Sequence, residues 1–313
     1  MTKEIGKNLL KAKKARVLIT ILAVIMVVSS IPSAFAQESM AVGADIYWGT
    51  TASQWNGYSN LYTSCGLSYV RLCFTPGTVS GLRSVVPAIV DDGVNVIGLL
   101  YAPQYAPDNP QAYGDWVYDV VSEFKDDVTV WEIWNEPNLS QFFEGKDPVK
   151  YTNFLKEGYT NAKAADSNCF VLGCSVAWTH SGSRSFIQTI YNNGGKDYMD
   201  ALSHHPYCYP YAPDAHPSNP YTDLPLIKQL MEQNGDNNHI WITELGWEVD
   251  GVTESQQAEY LVECLEYARD WGWVDCFIVY QWKDGAKQMG ITTSSTQPKL
   301  SYYAVQDWIE QNS

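Results

Sequence analysis

The sequence predicts an α/β protein, a single-domain (β/α)8 TIM barrel that follows an N-terminal signal peptide. Eight strand-like runs follow one another, and a helical pattern of apolar residues comes behind most of them. Several runs are apolar throughout, as expected for parallel strands that helices cover. The length suits one barrel and leaves no room for a sizeable second domain. We therefore predict a signal peptide at 1–36 and a barrel domain at 37–313.

The eight predicted strands occupy, in chain order, residues 42–47, 69–74, 94–101, 128–134, 170–177, 199–204, 239–243 and 275–281. Helix signals lie between them. Asp147-Pro148 places a capping side chain before a proline suited to the first helical turn. Thr253 and Gln256 form a capping-box sequence, and a last helix is expected from about residue 302 to residue 311. Because strands alternate with helices, neighbouring strands are expected to pair in parallel.

The first 36 residues read as a secretory leader. Six lysines and arginines within the first 16 residues precede an apolar run at 17–31, and Ala34-Phe35-Ala36 supplies a small-x-small cleavage signal. The apolar run has 15 residues, whereas a membrane span needs roughly 20. We predict cleavage after Ala36 and a secreted, extracellular protein; the alternative is an uncleaved membrane anchor.

The chain is acidic, with a net charge of −15, and the basic leader makes the mature part more acidic still. Such a charge argues against nucleic acid and against a stable membrane partner after signal cleavage. The seven cysteines show no spacing typical of zinc, and most lie in predicted strands or helices, where we expect buried free thiols. No cofactor and no metal are expected, and the protein is expected to be a monomer.

One stretch, Trp131-Glu132-Ile133-Trp134-Asn135-Glu136-Pro137-Asn138, organises the candidate site. It begins as a strand of β-forming residues. It ends at Pro137, which has no N–H for a ladder and disfavours helix at the preceding residue. Glu136 is therefore expected where a buried strand meets a loop, which is where barrels of this kind present their chemistry. Glu132 lies inside the strand and is expected to be a buried hydrogen-bonding partner.

A second glutamate, Glu244, follows the seventh predicted strand, so that two carboxylates face each other across the barrel mouth. Paired carboxylates are what glycoside hydrolysis requires, one to protonate the leaving oxygen and one to attack or to activate water. Both could instead be structural acids, although their matching positions favour catalysis.

Aromatic side chains follow most of the other strands and suit the apolar face of a sugar ring. Ordinary packing at the rim of a barrel is the alternative for any one of them. The aromatic residues selected as sugar contacts are Tyr47, Trp178, Tyr207, Trp247 and Trp282. As a set they favour a carbohydrate substrate.

These motifs resemble the retaining glycoside hydrolases of clan A. Trp131 to Asn138, His205-Pro206-Tyr207, Glu244-Leu245-Gly246-Trp247 and Trp282 look most like family 39 and its relatives, with family 5 next. The resemblance covers essentially the whole barrel. Members of family 39 often carry an accessory β-domain for which this sequence has no counterpart, so their substrates are not carried over.

The resemblance implies a role for each matching residue. Glu136 would be the general acid/base and Glu244 the nucleophile. The supporting roles would fall to Asn135 (binding the sugar 2-hydroxyl), Arg71 (keeping Glu244 ionised), Tyr207 and His205 (holding the same network) and Trp282 (a platform under the sugar).

The sequence leaves three hypotheses open. The first is a β-glycosidase acting on poly- or oligosaccharide, which we expect to be endo-acting. The second is a transglycosylase on the same site, and the third is a barrel that binds carbohydrate without cleaving it. Two further features bear on the site. His204-His205 has no third metal ligand at a matching spacing. The sequon Asn138-Leu139-Ser140 is expected to be unused, since a glycan there would obstruct the cleft.

Overall fold

The computed structural model describes residues 40–313, which form a closed barrel of eight parallel strands in sequential order. The strands are β1 Ala41–Asp45, β2 Tyr69–Phe74, β3 Asn95–Leu100, β4 Val130–Ile133, β5 Phe170–Ala177, β6 Ala201–His205, β7 Ile240–Leu245 and β8 Val274–Val279. Strand β8 pairs with β1 and closes the ring. The predicted fold class is confirmed.

The predicted strands are all present, and β2 and β5 have the predicted bounds. The others differ by one or two residues at their ends. Two differences affect the site, because β6 extends to His205 and β7 extends to Leu245. Glu244 therefore lies within β7, one residue before its end, and not in the loop behind it. Pairing with β8 resumes at Leu245 after a register shift, which accounts for the longer strand.

The helices are α1 Ala52–Asn56, α2 Ser59–Ser64, α3 Val79–Asp91, α4 Pro110–Phe124, α5 Pro148–Ala165, α6 Ser181–Asn192, α7 Leu224–Gln233, α8 Glu254–Trp271 and α9 Leu300–Asn312. The predicted caps operate. Asp147 accepts from the backbone N–H groups at the start of α5, and Thr253 and Gln256 form a capping box at α8. Each cap satisfies N–H groups that have no partner within the helix.

The interior of the barrel has two layers that follow from the two-residue period of a strand. Near the amino ends of the strands lies an apolar layer made of Ile97, Val130, Leu172, Ala201, Trp241, Cys276 and Ile278. Two residues further along β2, β4 and β7 come Arg71, Glu132 and Thr243. The carboxyl half of the interior is therefore polar and charged, and it lies directly beneath the mouth of the barrel.

A hairpin of β9 Thr292–Ser294 and β10 Gln297–Pro298 separates β8 from α9, and the sequence analysis did not predict it. Lys299, at the start of α9, forms an ion pair of 2.7 Å with Asp284 in the loop behind β8. The Lys299 side chain is 2% exposed, so the pair fixes this loop against the barrel.

All seven cysteines lie within residues 40–313 and are free, as expected, and six of them are buried. Within the same range, no helix combines the length and the apolar character that a bilayer crossing requires. The predicted signal peptide and its cleavage site after Ala36 lie outside the described residues.

We predict that Tyr62→Phe destabilises the barrel by about 1–3 kcal/mol, because it removes a buried hydroxyl that hydrogen-bonds backbone groups of two strands. The Tyr62 hydroxyl accepts from the N–H of Ala44 at 2.8 Å and donates to the carbonyl of Tyr69, so it links β1 to β2. Urea unfolding followed by circular dichroism measures the change. Tyr303→Phe is the matched control, since Tyr303 is 53% exposed, and it should change stability by less than about 0.5 kcal/mol. Equal effects would contradict the role given to the Tyr62 hydroxyl.

Candidate active site

Glu136 and Glu244 meet at the mouth of the barrel, as the sequence predicted. Glu136 lies three residues beyond β4, and Glu244 lies near the end of β7. One carboxylate oxygen of each lies within 4.8 Å of the other and of a ring nitrogen of His205. Both glutamates are buried, with 7% and 8% of their surface exposed. Two acids in such proximity cannot easily both carry charge unless nearby groups differentiate them.

The loop behind β4 has an unusual backbone that aims Glu136 at the cleft. Trp134 and Glu136 have φ angles of 70° and 41°, in the left-handed region that residues other than glycine seldom adopt. The N–H of Glu136 donates to the carbonyl of Ser175 at 3.0 Å. Ser175 lies at a register shift of β5 against β6, where it also has a positive φ. This bulge turns the Ser175 carbonyl toward the loop, consistent with the use of bulges beside active sites.

Asn138 joins the same loop to the end of β5. Its side-chain amide donates to the carbonyl of Ala177 at 2.9 Å and accepts from the N–H of Ala177 at 3.0 Å. A glycan on Asn138 would consume one of these hydrogen bonds. This contact gives a physical reason to expect that the sequon is unused.

Arg71 is the centre of the charge network. Its guanidinium donates to Glu132 at 2.6 Å, Glu244 at 2.5 Å, Asn135 at 2.8 Å and Asp45 at 3.1 Å. The Arg71 side chain is 2% exposed. Because the fork is planar and rigid, its four contacts fix the relative positions of β1, β2, β4 and β7 at the mouth. The predicted contact from Arg71 to Glu244 is present.

Glu244 has a hydrogen-bond donor for each carboxylate oxygen. Arg71 donates to Oε1, and the Tyr207 hydroxyl donates to Oε2 at 2.9 Å. A charged carboxylate can accept at about four positions, so each oxygen keeps a lone pair for other chemistry. These contacts hold the side chain in place.

Glu136 has a different environment. Burial raises its pKa above the usual value, the hydrogen bond and charge of His205 oppose that rise, and the nearby Glu244 adds to it. His205 Nδ1 lies 2.9 Å from Glu136 Oε1. Burial lowers the pKa of His205, but Glu244 and Glu136 outweigh burial, so that its pKa is raised overall. The two glutamates are thus differentiated, one held by Arg71 and the other paired with a titratable ring.

Two residues beneath the mouth complete the network. Glu132 is fully buried and accepts from Arg71 through Oε2 and from the Thr243 hydroxyl through Oε1, at 2.6 Å each. Thr243 Oγ1 also lies 3.1 Å from His205 Nε2. Burial alone would raise the pKa of Glu132, but Arg71, His205 and two hydroxyl hydrogen bonds lower it below the usual value. Glu132 is therefore a buried carboxylate, as the sequence analysis expected.

The mouth opens into a cleft of three adjoining lobes. The Asp45 lobe, of about 560 Å³, is lined by Asp45, Trp48, Arg71, Tyr101, Asn135 and Glu244 among others. The Tyr280 lobe, of about 360 Å³, shares Glu244 with it and adds Glu136, Trp178, Tyr207 and Tyr280. The His180 lobe, of about 520 Å³, continues past Trp178 to Asn138, Lys146 and His180. Glu136 lines the second of these lobes, whereas Asn135 and Arg71 line the first.

Two of the predicted sugar contacts, Trp282 and Trp247, lie outside the cleft. Trp282 is 1% exposed and packs between Tyr58 and Tyr62, at centroid distances of 5.6 and 4.9 Å. Trp247 is fully buried, and its Nε1 donates to the carbonyl of Tyr211. Neither side chain lines a lobe of the cleft, so a platform role for Trp282 does not fit this placement. Packing of the barrel rim, the alternative weighed for each aromatic residue, accounts for both.

Two aromatic residues close in sequence to the predicted ones, Tyr280 and Trp48, line the cleft instead. Tyr280, directly after β8, lines the cleft beside both glutamates, two residues before the buried Trp282. Trp48 lines the Asp45 lobe and is 54% exposed, whereas the predicted Tyr47 lines none of the three lobes. Trp178 is 37% exposed and lines two lobes, as its prediction requires.

Asp45 is a site residue that the sequence analysis missed. It ends β1, lines the cleft and lies 3.1 Å from Arg71. Burial raises the pKa of Asp45 to about 7, with Arg71 opposing the shift and Glu244 adding to it. Its signal was available, since Gly43 and Asp45 share a face of β1 with a period of two. A single acid at a strand end did not reveal which neighbours it would meet.

The positions of Glu136, His205 and Glu244 would also suit a metal ion by distance alone. Each of the three already has a hydrogen-bond partner, namely His205 for Glu136, Thr243 for His205, and Tyr207 for Glu244. The arrangement is that of a hydrogen-bonded network. The absence of a metal stays a prediction.

Solved structures with a similar fold include glycoside hydrolases. A family 39 glycoside hydrolase from the gut symbiont Bacteroides cellulosilyticus has a TM-score of 0.72 and 21% identity, over 89% of this chain and 65% of that chain. A monomeric β-xylosidase from Caulobacter crescentus has a TM-score of 0.66 and 18% identity, over 86% of this chain and 67% of that chain. Xylanase 10B from Thermotoga maritima has a TM-score of 0.64 and 15% identity, over 88% of this chain and 96% of that chain.

These likenesses establish the fold and confirm the structural resemblance to family 39. The chain spans about two thirds of the length of the first two structures. No protein-family model matches the sequence, and no curated protein matches it.

We predict that Arg71→Met destabilises the protein by about 3–5 kcal/mol near pH 8, because it leaves buried carboxylates without their counter-charge. Lowering the pH to about 5 should reduce this deficit, since buried acids such as Asp45, whose pKa is already about 7, then take up protons. Chemical unfolding at both pH values measures the difference. Arg83→Met is the control, because the Arg83 side chain is 61% exposed and pairs with Glu123 at the surface. A deficit that grows on acidification would contradict the network.

Proposed function

We propose that this protein is a secreted retaining β-glycosidase that cleaves β-linked polysaccharide at internal linkages. The observation that carries the proposal is the pair Glu136 and Glu244. They lie in one cleft in contrasting environments, and a carboxylate oxygen of one lies within 4.8 Å of a carboxylate oxygen of the other. Retaining enzymes place their two carboxyl groups about 5–5.5 Å apart, and inverting enzymes about 6.5–9.5 Å apart. The glycoside hydrolases of similar fold support the same reaction class.

The first step is transfer of the sugar to the protein. Glu136, whose raised pKa keeps it protonated to higher pH, donates its proton to the glycosidic oxygen as the bond to the anomeric carbon breaks. Glu244 attacks the anomeric carbon from the opposite face and forms a glycosyl ester. Arg71 and Tyr207 hold the attacking carboxylate in position, so little reorganisation is needed at the moment of reaction.

The second step releases the sugar with the same anomeric configuration. Glu136 is now a carboxylate and removes a proton from a water that attacks the anomeric carbon, and Glu244 leaves. His205 faces Glu136 at 2.9 Å and can balance its charge between the two steps. If a sugar hydroxyl competes with water, the same intermediate gives transglycosylation.

The position of Glu136 indicates which lobe of the cleft holds each part of the substrate. Glu136 protonates the departing oxygen, so the leaving part of the substrate belongs in the Tyr280 lobe, which Glu136 lines. The retained sugar then belongs in the Asp45 lobe, beside Asn135. Because the Tyr280 lobe continues into the His180 lobe past Trp178, there is room for several sugars on the leaving side. This supports endo action.

The retained sugar is expected to be neutral. The charged residues described in the lining of the Asp45 lobe are Asp45, Arg71 and Glu244. The one cation among them, Arg71, already binds four partners within the protein. A uronic acid would therefore meet two carboxylates and no available counter-charge.

We predict that Glu244→Gln abolishes release of reducing ends from β-linked polysaccharides, whereas Glu136→Gln lowers kcat on them by about 10²–10⁴-fold. The Glu136 variant should lose less on an aryl glycoside whose leaving group needs no proton. Wild-type activity should fall as the pH rises through the pKa of Glu136, because the acid form is then lost. Reducing-end assays on a panel of neutral glucans, mannans, xylans and galactans measure these effects, and NMR of the first product shows its anomeric form.

An inverted first product would rule out double displacement, and full activity of Glu244→Gln would rule out its role as nucleophile. Binding of polysaccharide by the wild type without turnover would favour the carbohydrate-binding barrel. Products longer than the substrate would identify transglycosylation. Amino-terminal sequencing of the exported protein tests the proposed cleavage after Ala36.

We predict that Trp178→Ala raises KM for long polysaccharides by about tenfold, equivalent to about 1.4 kcal/mol of lost binding. The ring is exposed between two lobes, where a sugar face can pack against it. The effect should be smaller on a short aryl glycoside that does not reach past the Tyr280 lobe. Product lengths from the wild type provide the check, since release of single sugars alone would contradict endo action.

A further inference from the structure

Glu132 is connected through hydrogen bonds to both Glu136 and Glu244, although it contacts neither of them directly. Its Oε2 accepts from Arg71, which in turn donates to Glu244. Its Oε1 accepts from Thr243, which lies against His205, the partner of Glu136. One fully buried carboxylate thus begins two chains of hydrogen bonds that end at the two catalytic groups.

The direction of each hydrogen bond in the second chain follows from the number of protons available. Glu132 is a carboxylate and can only accept. The Thr243 hydroxyl has a single hydrogen, and at 2.6 Å it donates it to Glu132. The Thr243 oxygen can therefore only accept from His205 Nε2 at 3.1 Å. Nε2 must carry a hydrogen, because two lone pairs facing each other at that distance would repel.

The tautomer of His205 has a consequence for Glu136. With the hydrogen on Nε2, the neutral ring presents the lone pair of Nδ1 to Glu136 Oε1 at 2.9 Å. That arrangement is satisfied only while Glu136 keeps its proton. The opposite tautomer would present Nδ1–H and would favour the charged form of Glu136, which cannot act as an acid. The charge that sets this tautomer is on Glu132, three hydrogen bonds away from Glu136.

Resting on the function proposed above, we propose that Glu132 is a positioning residue for both catalytic carboxylates. Through Arg71 it fixes the nucleophile, and through Thr243 it fixes the His205 tautomer that keeps the acid ready to donate. The titratable and charged groups around His205 and Glu136 are Asp45 of β1, Arg71 of β2, Glu132 of β4, Tyr207 after β6, Glu244 of β7 and Tyr280 after β8. Among them, only Glu132 joins the two chains.

Glu132→Gln is the most informative substitution. Its amide oxygen should face Arg71, which has only N–H groups to offer, so its NH2 should face Thr243. Thr243 would then accept from the amide and donate to Nε2 of His205. The relay would reverse, Nδ1 would carry the hydrogen, and the alkaline limb of the kcat/KM profile should move to lower pH by about one unit.

Variants at Thr243 separate the two chains and guard against a misfolded Glu132 variant. Thr243→Val cuts the connection to His205 and leaves the contact between Glu132 and Arg71, so it should shift the alkaline limb in the same direction. Thr243→Ser restores the hydroxyl and should restore the wild-type profile. Thr152→Val is the matched control, because Thr152 is also buried but its hydroxyl donates to the carbonyl of Pro148 within α5.

The tautomer itself should be measured by NMR of protein labelled with ¹⁵N-histidine, over a pH series that includes neutral His205. The expected result is hydrogen on Nε2 in the wild type, in Thr152→Val and in Thr243→Ser, and a shift toward Nδ1 in Glu132→Gln and Thr243→Val. An unchanged tautomer and an unchanged alkaline limb in the folded Thr243→Val variant would overturn the proposal. This readout needs no substrate, so it stands apart from the outcome of the polysaccharide assays.

Discussion

The buried guanidinium of Arg71 is the interaction on which the mouth of the barrel depends. The interior of a barrel is a place of low polarity, and three carboxylates directed into it from β1, β4 and β7 would repel one another. One rigid cation that reaches all three makes the arrangement stable and sets its geometry at the same time. The apolar layer below confines the charges to the end where substrate can enter.

Two identical side chains acquire different chemistry here through their neighbours alone. Glu244 faces a permanent cation and a hydroxyl donor, while Glu136 faces a ring that can lose its proton. The strands supply the fixed partners, and the loop behind β4 supplies Glu136. The proposed acid therefore lies on a loop held by its contacts, whereas the proposed nucleophile lies on a strand.

Much of this could be predicted from the sequence, because strand ends locate a mouth and the residues there can be read off. The eight strands and the pair Glu136 and Glu244 were found in this way. The network beneath was not, since it depends on which inward positions of non-adjacent strands lie at one level, as Glu132 and Thr243 do. The burial of Trp282 was missed for a related reason: a two-residue difference after β8 decides whether Tyr280 or Trp282 faces the cleft.

The bulge of β5 has an evolutionary consequence. By inserting one residue into the pairing with β6, it lets the Ser175 carbonyl hold the N–H of Glu136 while the rest of β5 keeps its place in the barrel. A single-residue deletion of Ser175 would return the strand to regular pairing, with Val176 still opposite His204, but it would remove the carbonyl that holds the N–H of Glu136. Such a lineage would retain a barrel and both glutamates yet lose the contact that aligns Glu136, so intact motifs alone would not guarantee an intact site.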